Sequence, residues 1–453
     1  IDFLKNGRDP FPGIVGYDKT VRPQVERAIL AGHNILFLGL RGQAKTRFAR
    51  LMVNLLDDYV PIIAGSELHE DPLRPLTTGS RRMIEEQGDS CPIEWISKHE
   101  RLVEKLATPD VSVADLIGDI DPIKAASLKL SYADEGAIHY GLIPRTNRGI
   151  FIINEIPDLQ PRIQVSLLNI LQEQDIQIRG FNLRIPLDIQ FVFTANPEDY
   201  TNRGNIITPL KDRIESQIIT HYPDDIAIGK QITSQESDID ARIKSKVYVP
   251  ELAKDLLEIV AVIARQSEYI DQASGVSARL PITAMEQLYA AAEHRILSTG
   301  TDHTSFRVTD FINIIPAMTG KLELVYEGEQ MGAEAVSRSI VEMAIESMAR
   351  SIYPNPNKLH EDDPDPYGSV KLYFGDNKAL LLSTDIDDKS YRDQLDQIAG
   401  LRKLAEKYMP AKAEDVYFFM EMALHALCGY EVLQRSLSAD AIQFEDPLQG
   451  LFD

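Results

Sequence analysis

Short apolar runs closed by turn residues alternate with helical stripes through the first half of the chain, and long helical stripes fill most of the second. Asn34 to Leu38 reads as a buried strand. After a glycine-containing turn come Phe48, Leu51, Met52, Leu55 and Leu56, an i, i+3, i+4, i+7, i+8 stripe that predicts a helix. Val60 to Ala64, Ile150 to Ile153, Ile189 to Thr194 and Gln217 to Thr220 supply further strands. Strands alternating with helices predict an α/β core, a mostly parallel sheet flanked by helices. Asp175 to Leu187 alternates apolar and polar residues around Arg179 and Asn182, the pattern of a β-hairpin.

From about Tyr222 the texture changes. Pro250 to Ser267 and Thr283 to Leu297 read as helices, so the expected organisation is an α/β core over 1–222 and an all-helical domain over 223–350. A linker and mainly helical extension over 351–453 would follow. Ser351 to Tyr367, with four prolines among acidic and amide residues, is expected to be a linker or an ordered surface loop. Val370 to Thr384 is expected to form a hairpin turning at Gly375, Asp376 and Asn377, and Lys389 to Ser436 to form helices broken at Pro410. No internal repeat is present.

Charge narrows the partners. The 453 residues carry a formal charge of -22. Sequence-independent grip on nucleic acid needs a basic surface, so nucleic acid is disfavoured as a partner, although an acidic chain can hold a local basic pore. No apolar run approaches the roughly 18 residues of a membrane span. Nothing at the N-terminus reads as a signal peptide, and a start at Ile1 suggests that the natural N-terminus lies upstream. Cys91 and Cys428 have no metal-ligand spacing, and a reducing, cytoplasmic setting is the simplest expectation.

Chemistry concentrates at strand ends. Gly39-Leu40-Arg41-Gly42-Gln43-Ala44-Lys45-Thr46 joins the first strand to the first helix and matches the phosphate-loop pattern G-x-x-x-x-G-K-[ST] at all fixed positions except Ala44. In such loops backbone N–H groups cradle phosphates, the lysine reaches the β/γ oxygens and the hydroxyl binds Mg²⁺. An alanine methyl can be accommodated there if its φ stays negative. Read alone, the segment could be an ordinary strand-to-helix turn.

The strand from Gly149 ends in Asn154 and Glu155, and the strand from Ile189 ends in Asn196. In a doubly wound sheet these carboxyl ends face the phosphate loop. Glu155 is placed to polarise a water attacking the γ-phosphate, and Asn196 to hold that water or touch the phosphate. The position before the glutamate normally holds an aspartate near Mg²⁺. Asn154 offers an oxygen without the charge. Arg213 supplies a guanidinium for phosphate charge. Each of these alone has a plain structural alternative: a polar strand end, a turn, a surface ion pair.

In this order the motifs resemble the Walker A, Walker B, sensor 1 and arginine-finger series of AAA+ ATPases, and details resemble the branch of the MoxR-type proteins and the magnesium chelatase I subunit. Phe11 to Gly16 is similar to the segment whose backbone lies by the adenine, which implicates Val15 and Gly16. Thr108 to Gly118 and Tyr140 to Gly149 resemble that branch's run into its helix-2 insertion and its run into Walker B. Gly275 to Arg279 resembles sensor 2. The resemblance spans roughly Phe11 to Leu297. It implies ATP and Mg²⁺ as cofactors, with Gly39, Gly42, Gln43, Ala44, Lys45, Thr46 and Arg47 at the nucleotide. Thr46 and Asn154 would serve the metal, and Glu155, Asn196, Arg213 and Arg279 would act in turnover, with Arg213 reaching a neighbour's ATP.

A homo-oligomer, expected to be a hexamer, follows from the resemblance, as does a lid that rocks with nucleotide state. A partner protein bearing a von Willebrand A-type domain is implied by analogy only. The expected function is an ATP-hydrolysing, ring-forming remodelling or chaperone-like motor. Alternatives are a weakly or non-hydrolysing scaffold, a DNA-directed motor, and a true chelatase subunit. Glu67, His69, Glu70 and Asp71 look like metal ligands but are expected to form a solvated acidic loop. The segment from Tyr417, rich in Phe and Met, is expected to be a core face.

Overall fold

The structure is a computed structural model describing residues 2–127, 135–178, 184–197, 204–358, 365–376, 378–408, 412–438 and 440–447. Internal contacts divide the chain into two compact units, Ile1–Tyr222 and Pro223–Asp453.

The first unit is built on a five-stranded parallel sheet. Its strands are β1 (Ile35–Leu38), β2 (Leu102–Leu106), β3 (Gly149–Asn154), β4 (Ile189–Ala195) and β5 (Ser216–Ile219), in the spatial order β5-β1-β4-β3-β2. Period-two alternation sends side chains to both faces. Ile35, Phe37, Ile150, Ile152 and Val192 join one apolar cluster with Val21 and Val25 of α1 (Val21–Leu30) and Phe48 of α2 (Lys45–Leu51). Leu36, Phe151, Ile153, Phe191 and Phe193 join another with Ile163 and Leu167 of α3 (Pro161–Glu173). Burial on both faces explains why these strands read as continuous apolar runs.

The run at Val60 forms a strand outside this sheet. Tyr59–Ile63 pairs antiparallel with Ile93–Ser97, which places Trp95, still 62% exposed, opposite Pro61. Asp175–Gln177 and Arg184–Pro186 pair as the arms of the expected hairpin, whose tip lies outside the described residues.

The second unit is mainly helical, with α4 (Glu251–Gln266), α5 (Arg279–Thr299), α6 (Ala333–Ile352) and α7 (Val416–Gly429). A single apolar cluster runs from Val247 to Phe444, taking in Met420 and Met422 of α7. The segment expected as a linker is tied at both described ends: Tyr353 donates to the carbonyl of Phe419 at 2.7 Å, Tyr367 to that of Pro354 at 2.5 Å, and both rings are fully buried. Residues 359–364 within it lie outside the described residues.

The hairpin expected over 370–384 does not form. Gly368–Gly375 is a helix burying Val370 and Phe374, four residues apart. Leu380–Ser383 is a strand (β6) whose partner is β8 (Ala441–Glu445), itself paired with β7 (Gln434–Leu437). Strand partners so far apart in sequence leave no local turn signal.

Candidate functional site

The phosphate loop leaves β1 with little freedom. Gly39 donates its N–H to the carbonyl of Ala195 at 3.2 Å, and a Cβ there would collide with the Thr220 hydroxyl and the Gln43 amide, so only glycine fits. Two phenols staple the loop from outside. The Tyr17 hydroxyl lies 2.9 Å from the carbonyls of both Gln43 and His221, and Tyr222 donates to that of Arg41 at 2.9 Å. Burial, its largest influence, raises the Tyr17 pKa, so the phenol keeps its proton and remains a donor. Thr220 donates to the Gln43 side chain at 2.7 Å.

Ala44 does not meet the condition under which a methyl fits most easily. Its φ is +56°, not negative, so the loop keeps the left-handed turn that glycine usually supplies there. An L-residue in that region costs roughly 1–2 kcal/mol. Gly42, at φ +74°, takes the same region without penalty. Lys45 opens α2, is 7% exposed, and donates to the carbonyls of Gly39 and Leu40. Arg47 is half-buried within the first turn of that helix. Val15 and Gly16 lie along the chain between Phe11, whose ring meets that of Phe48 at a tilt with centroids 4.4 Å apart, and Tyr17.

Parallel register decides what meets this loop. Leu38 pairs with Ala195, and Phe193 with Ile153, so the residues just past β1, β4 and β3 emerge side by side at the carboxyl edge. The Asn154 carbonyl oxygen Oδ1 accepts from the hydroxyls of Thr46 and Thr194, each at 3.1 Å. Glu155 follows with φ +54°, a second non-glycine residue in the left-handed region, and its N–H donates to Thr194 Oγ1 at 3.2 Å. Strain of this kind persists where the surroundings enforce it and gathers at functional sites. Asn196 is 2% exposed, and among the described residues its Oδ1 meets no hydrogen-bond donor. Buried amide oxygens are nearly always paired, so this one fits a group that receives a donor from a ligand or its water.

Comparison with known proteins finds relatives over part of the chain. The sigma-54 interaction domain family matches residues 128–219. The magnesium-chelatase 38 kDa subunit of Cereibacter sphaeroides is 26% identical over 236 residues, covering 51% of this chain and 64% of that protein. Its counterpart from Rhodobacter capsulatus is 25% identical over 239 residues, covering 52% and 63%. The chain is related to the AAA+ magnesium-chelatase 38 kDa subunits. It spans less than two thirds of the length of these relatives. A structure of the complex between subunits BchI and BchD of magnesium chelatase aligns with 71% of this chain and 98% of that one, at 18% identity and a TM-score of 0.36.

Two of the expected site residues lie on other elements, one in each unit. Arg213 precedes β5, on the amino side of the sheet, where Nε donates to Gln172 of α3 at 3.0 Å and Nη1 to the Pro209 carbonyl at 2.9 Å. It does not join the phosphate loop of its own chain. Arg279 is the exposed first residue of α5 in the second unit, its N–H on Ser277 Oγ at 3.1 Å.

The donor set suits Mg²⁺ sparingly. Thr46 and Asn154 present neutral oxygens, and among the described residues no group of three or more His, Cys, Asp or Glu could hold a metal ion. Mg²⁺ commonly takes few protein ligands and fills its octahedron with phosphate oxygens and water, so these residues fit it as a nucleotide companion.

The sequence reading missed three contributors. Thr194 precedes Asn196 by two residues and carries only a strand signal in the sequence. Tyr17 acts through a contact 26 residues along the chain. Glu104 lies in Leu102-Val103-Glu104-Lys105-Leu106, which forms the edge strand β2 but does not alternate apolar and polar residues, so no local strand signal marked it. One expectation is corrected: Glu70 is not in a solvated loop but 2% exposed. Burial pushes its pKa up, yet hydrogen bonds from Ser80, Thr77, Ser66 and the Leu76 N–H outweigh that and hold it below the usual range. It is a structural carboxylate that ties a loop to the N-terminus of helix Thr78–Gln87.

Proposed function

We propose that this chain binds and hydrolyses ATP at the carboxyl edge of its sheet, and that a ring of copies, most simply six, uses the turnover to remodel a partner protein. The observation that carries the reading is the register that brings the phosphate loop, Asn154–Glu155 and Asn196 to adjacent strand ends. The amides from Gly42 to Thr46 and the Lys45 ammonium hold the phosphates, with Val15 and Gly16 beside the adenine. Thr46 and Asn154 serve Mg²⁺, which when bound neutralises charge on the β and γ oxygens. Glu155 accepts a proton from the attacking water, and Asn196 orients that water. Arg213, away from its own loop, serves the neighbouring copy, and Arg279 couples the helical unit to nucleotide state. By resemblance, the partner bears a von Willebrand A-type domain.

Binding of labelled ATP followed by phosphate release tests this reading. Glu155→Gln is expected to keep binding and to slow release by about 10²–10⁴-fold, the usual worth of a positioned base. Electron microscopy with and without ATP and Mg²⁺ tests the ring, and particles that stay monomeric in both would remove the role of Arg213. A second reading, a non-hydrolysing scaffold, is favoured by the uncharged Asn154. Equal release from wild type and Glu155→Gln would select it.

A further inference from the structure

An amide in the place of a carboxylate has a wrong end. Asn154 can face Thr46 with an oxygen, which suits a cation, or with an NH₂ group, which repels one. The neighbouring hydroxyls of Thr46 and Thr194 do not decide between these, because a hydroxyl either donates or accepts. Glu104 does decide. Its Oε1 lies 2.6 Å from Asn154 Nδ2, and the Arg50 guanidinium grips the same carboxylate through Nε at 2.6 Å and Nη2 at 2.8 Å. A carboxylate held by such a fork only accepts, so the NH₂ end must turn to Glu104 and the oxygen to Thr46.

We propose that Glu104 is the positioning residue of the Mg²⁺ site, locking Asn154 with its carbonyl oxygen toward Thr46. The proposal rests on the ATP-binding reading above. Glu104 reaches this place from the edge strand β2, where Leu106 pairs with Asn154 and Glu104 with Ile152. Its charge is largely offset by Arg50, so its contribution is orientation rather than field. The site thereby gains an oriented neutral oxygen in place of the charged one expected in the family.

The test uses Mn²⁺ as the metal probe, followed by electron paramagnetic resonance, with a non-hydrolysable ATP analogue on the full chain. Nucleotide affinity is first measured in EDTA. Failure of the wild type to bind there would overturn the nucleotide-site reading itself. Glu104→Ala is expected to leave EDTA binding unchanged and to weaken Mn²⁺ binding to the nucleotide complex by about 10–100-fold, the usual effect of losing a partner that orients a ligand. In an Asn154→Asp background the same change should leave Mn²⁺ binding little altered, because a carboxylate presents an oxygen whichever way it turns and has no wrong end for Glu104 to hold away. A merely structural role, holding Arg50 or the edge strand, predicts loss in both backgrounds. Loss in both, or no loss in the wild-type background, overturns the proposal. Thermal unfolding of each variant in EDTA confirms that it is folded.

Discussion

The two units use buried polar groups in opposite ways. At the carboxyl edge of the first unit, polar side chains line up at strand ends on strained backbone, with Ala44 and Glu155 both left-handed and the Asn196 oxygen lacking a donor among the described residues. In the second unit the polar groups close on one another. Arg295 and Asp310 are almost wholly buried and joined at 2.5 Å, Arg307 meets Asp388 at 2.6 Å, and Glu421 accepts from Thr309, the Val308 N–H and Tyr391. Arg295 also donates to the Thr384 carbonyl at 3.0 Å, and Arg307 to that of Ile386 at 2.9 Å, so these pairs bind the C-terminal hundred residues to the helices before them. The first arrangement leaves groups for a ligand to complete. The second closes mainly on itself, although Arg307 Nε and Nη1 and His425 Nε2 have no hydrogen-bond partner among the described residues.

The largest test of this contrast is Arg295→Met. It strands Asp310 in the core and is expected to destabilise the second unit by about 3–5 kcal/mol, the usual cost of breaking a buried pair. Denaturant unfolding should show the loss while the affinity for labelled ATP is unchanged, and an equal loss of affinity would break the contrast. Next in size, Lys45→Ala should weaken nucleotide binding by about 1.5–3 kcal/mol, the worth of a hydrogen bond to a charged group, with little change in melting without nucleotide.

Acid sharpens the comparison further. Burial, and then Arg435, hold the His425 imidazole well below its ordinary pKa. Its Nδ1 faces Arg435 at 3.2 Å, and among the described residues Nε2 has no acceptor. The unfolded chain takes up this proton near pH 6.5 and the folded chain does not. The stability is therefore full above that value and falls as pH drops below it, by up to about 1.4 kcal/mol per pH unit. Unfolding followed from pH 7 to 5 should show this slope, and His425→Met should flatten it. The smallest effect belongs to Ala44→Gly, which relieves the left-handed methyl and should raise the melting point of the first unit by an amount worth about 1 kcal/mol or less, since glycine loses more entropy on folding. A drop in stability would show that the methyl packs favourably.

Much of the first unit was legible because its signals are local. Apolar runs gave four of the five sheet strands, and the motif order gave Lys45, Thr46, Asn154, Glu155 and Asn196. What escaped depends on distance along the chain. Glu104 matters only because β2 pairs with β3, and β6 finds its partner about 60 residues downstream. Glu70 looked like a solvated acid because its hydroxyl and amide donors are gathered by a fold in the loop around it.

The sequence alone determined where strands end in polar residues and which of those residues match a phosphate-loop motif series, since periodicity and motif spacing are written within a few residues of each position. Tertiary structure alone decided the left-handed turn at Ala44, the pairing of Glu104 with Asn154 and the joining of the last hundred residues to the helices before them. Each of these depends on which distant backbone lies alongside, and no local pattern records that.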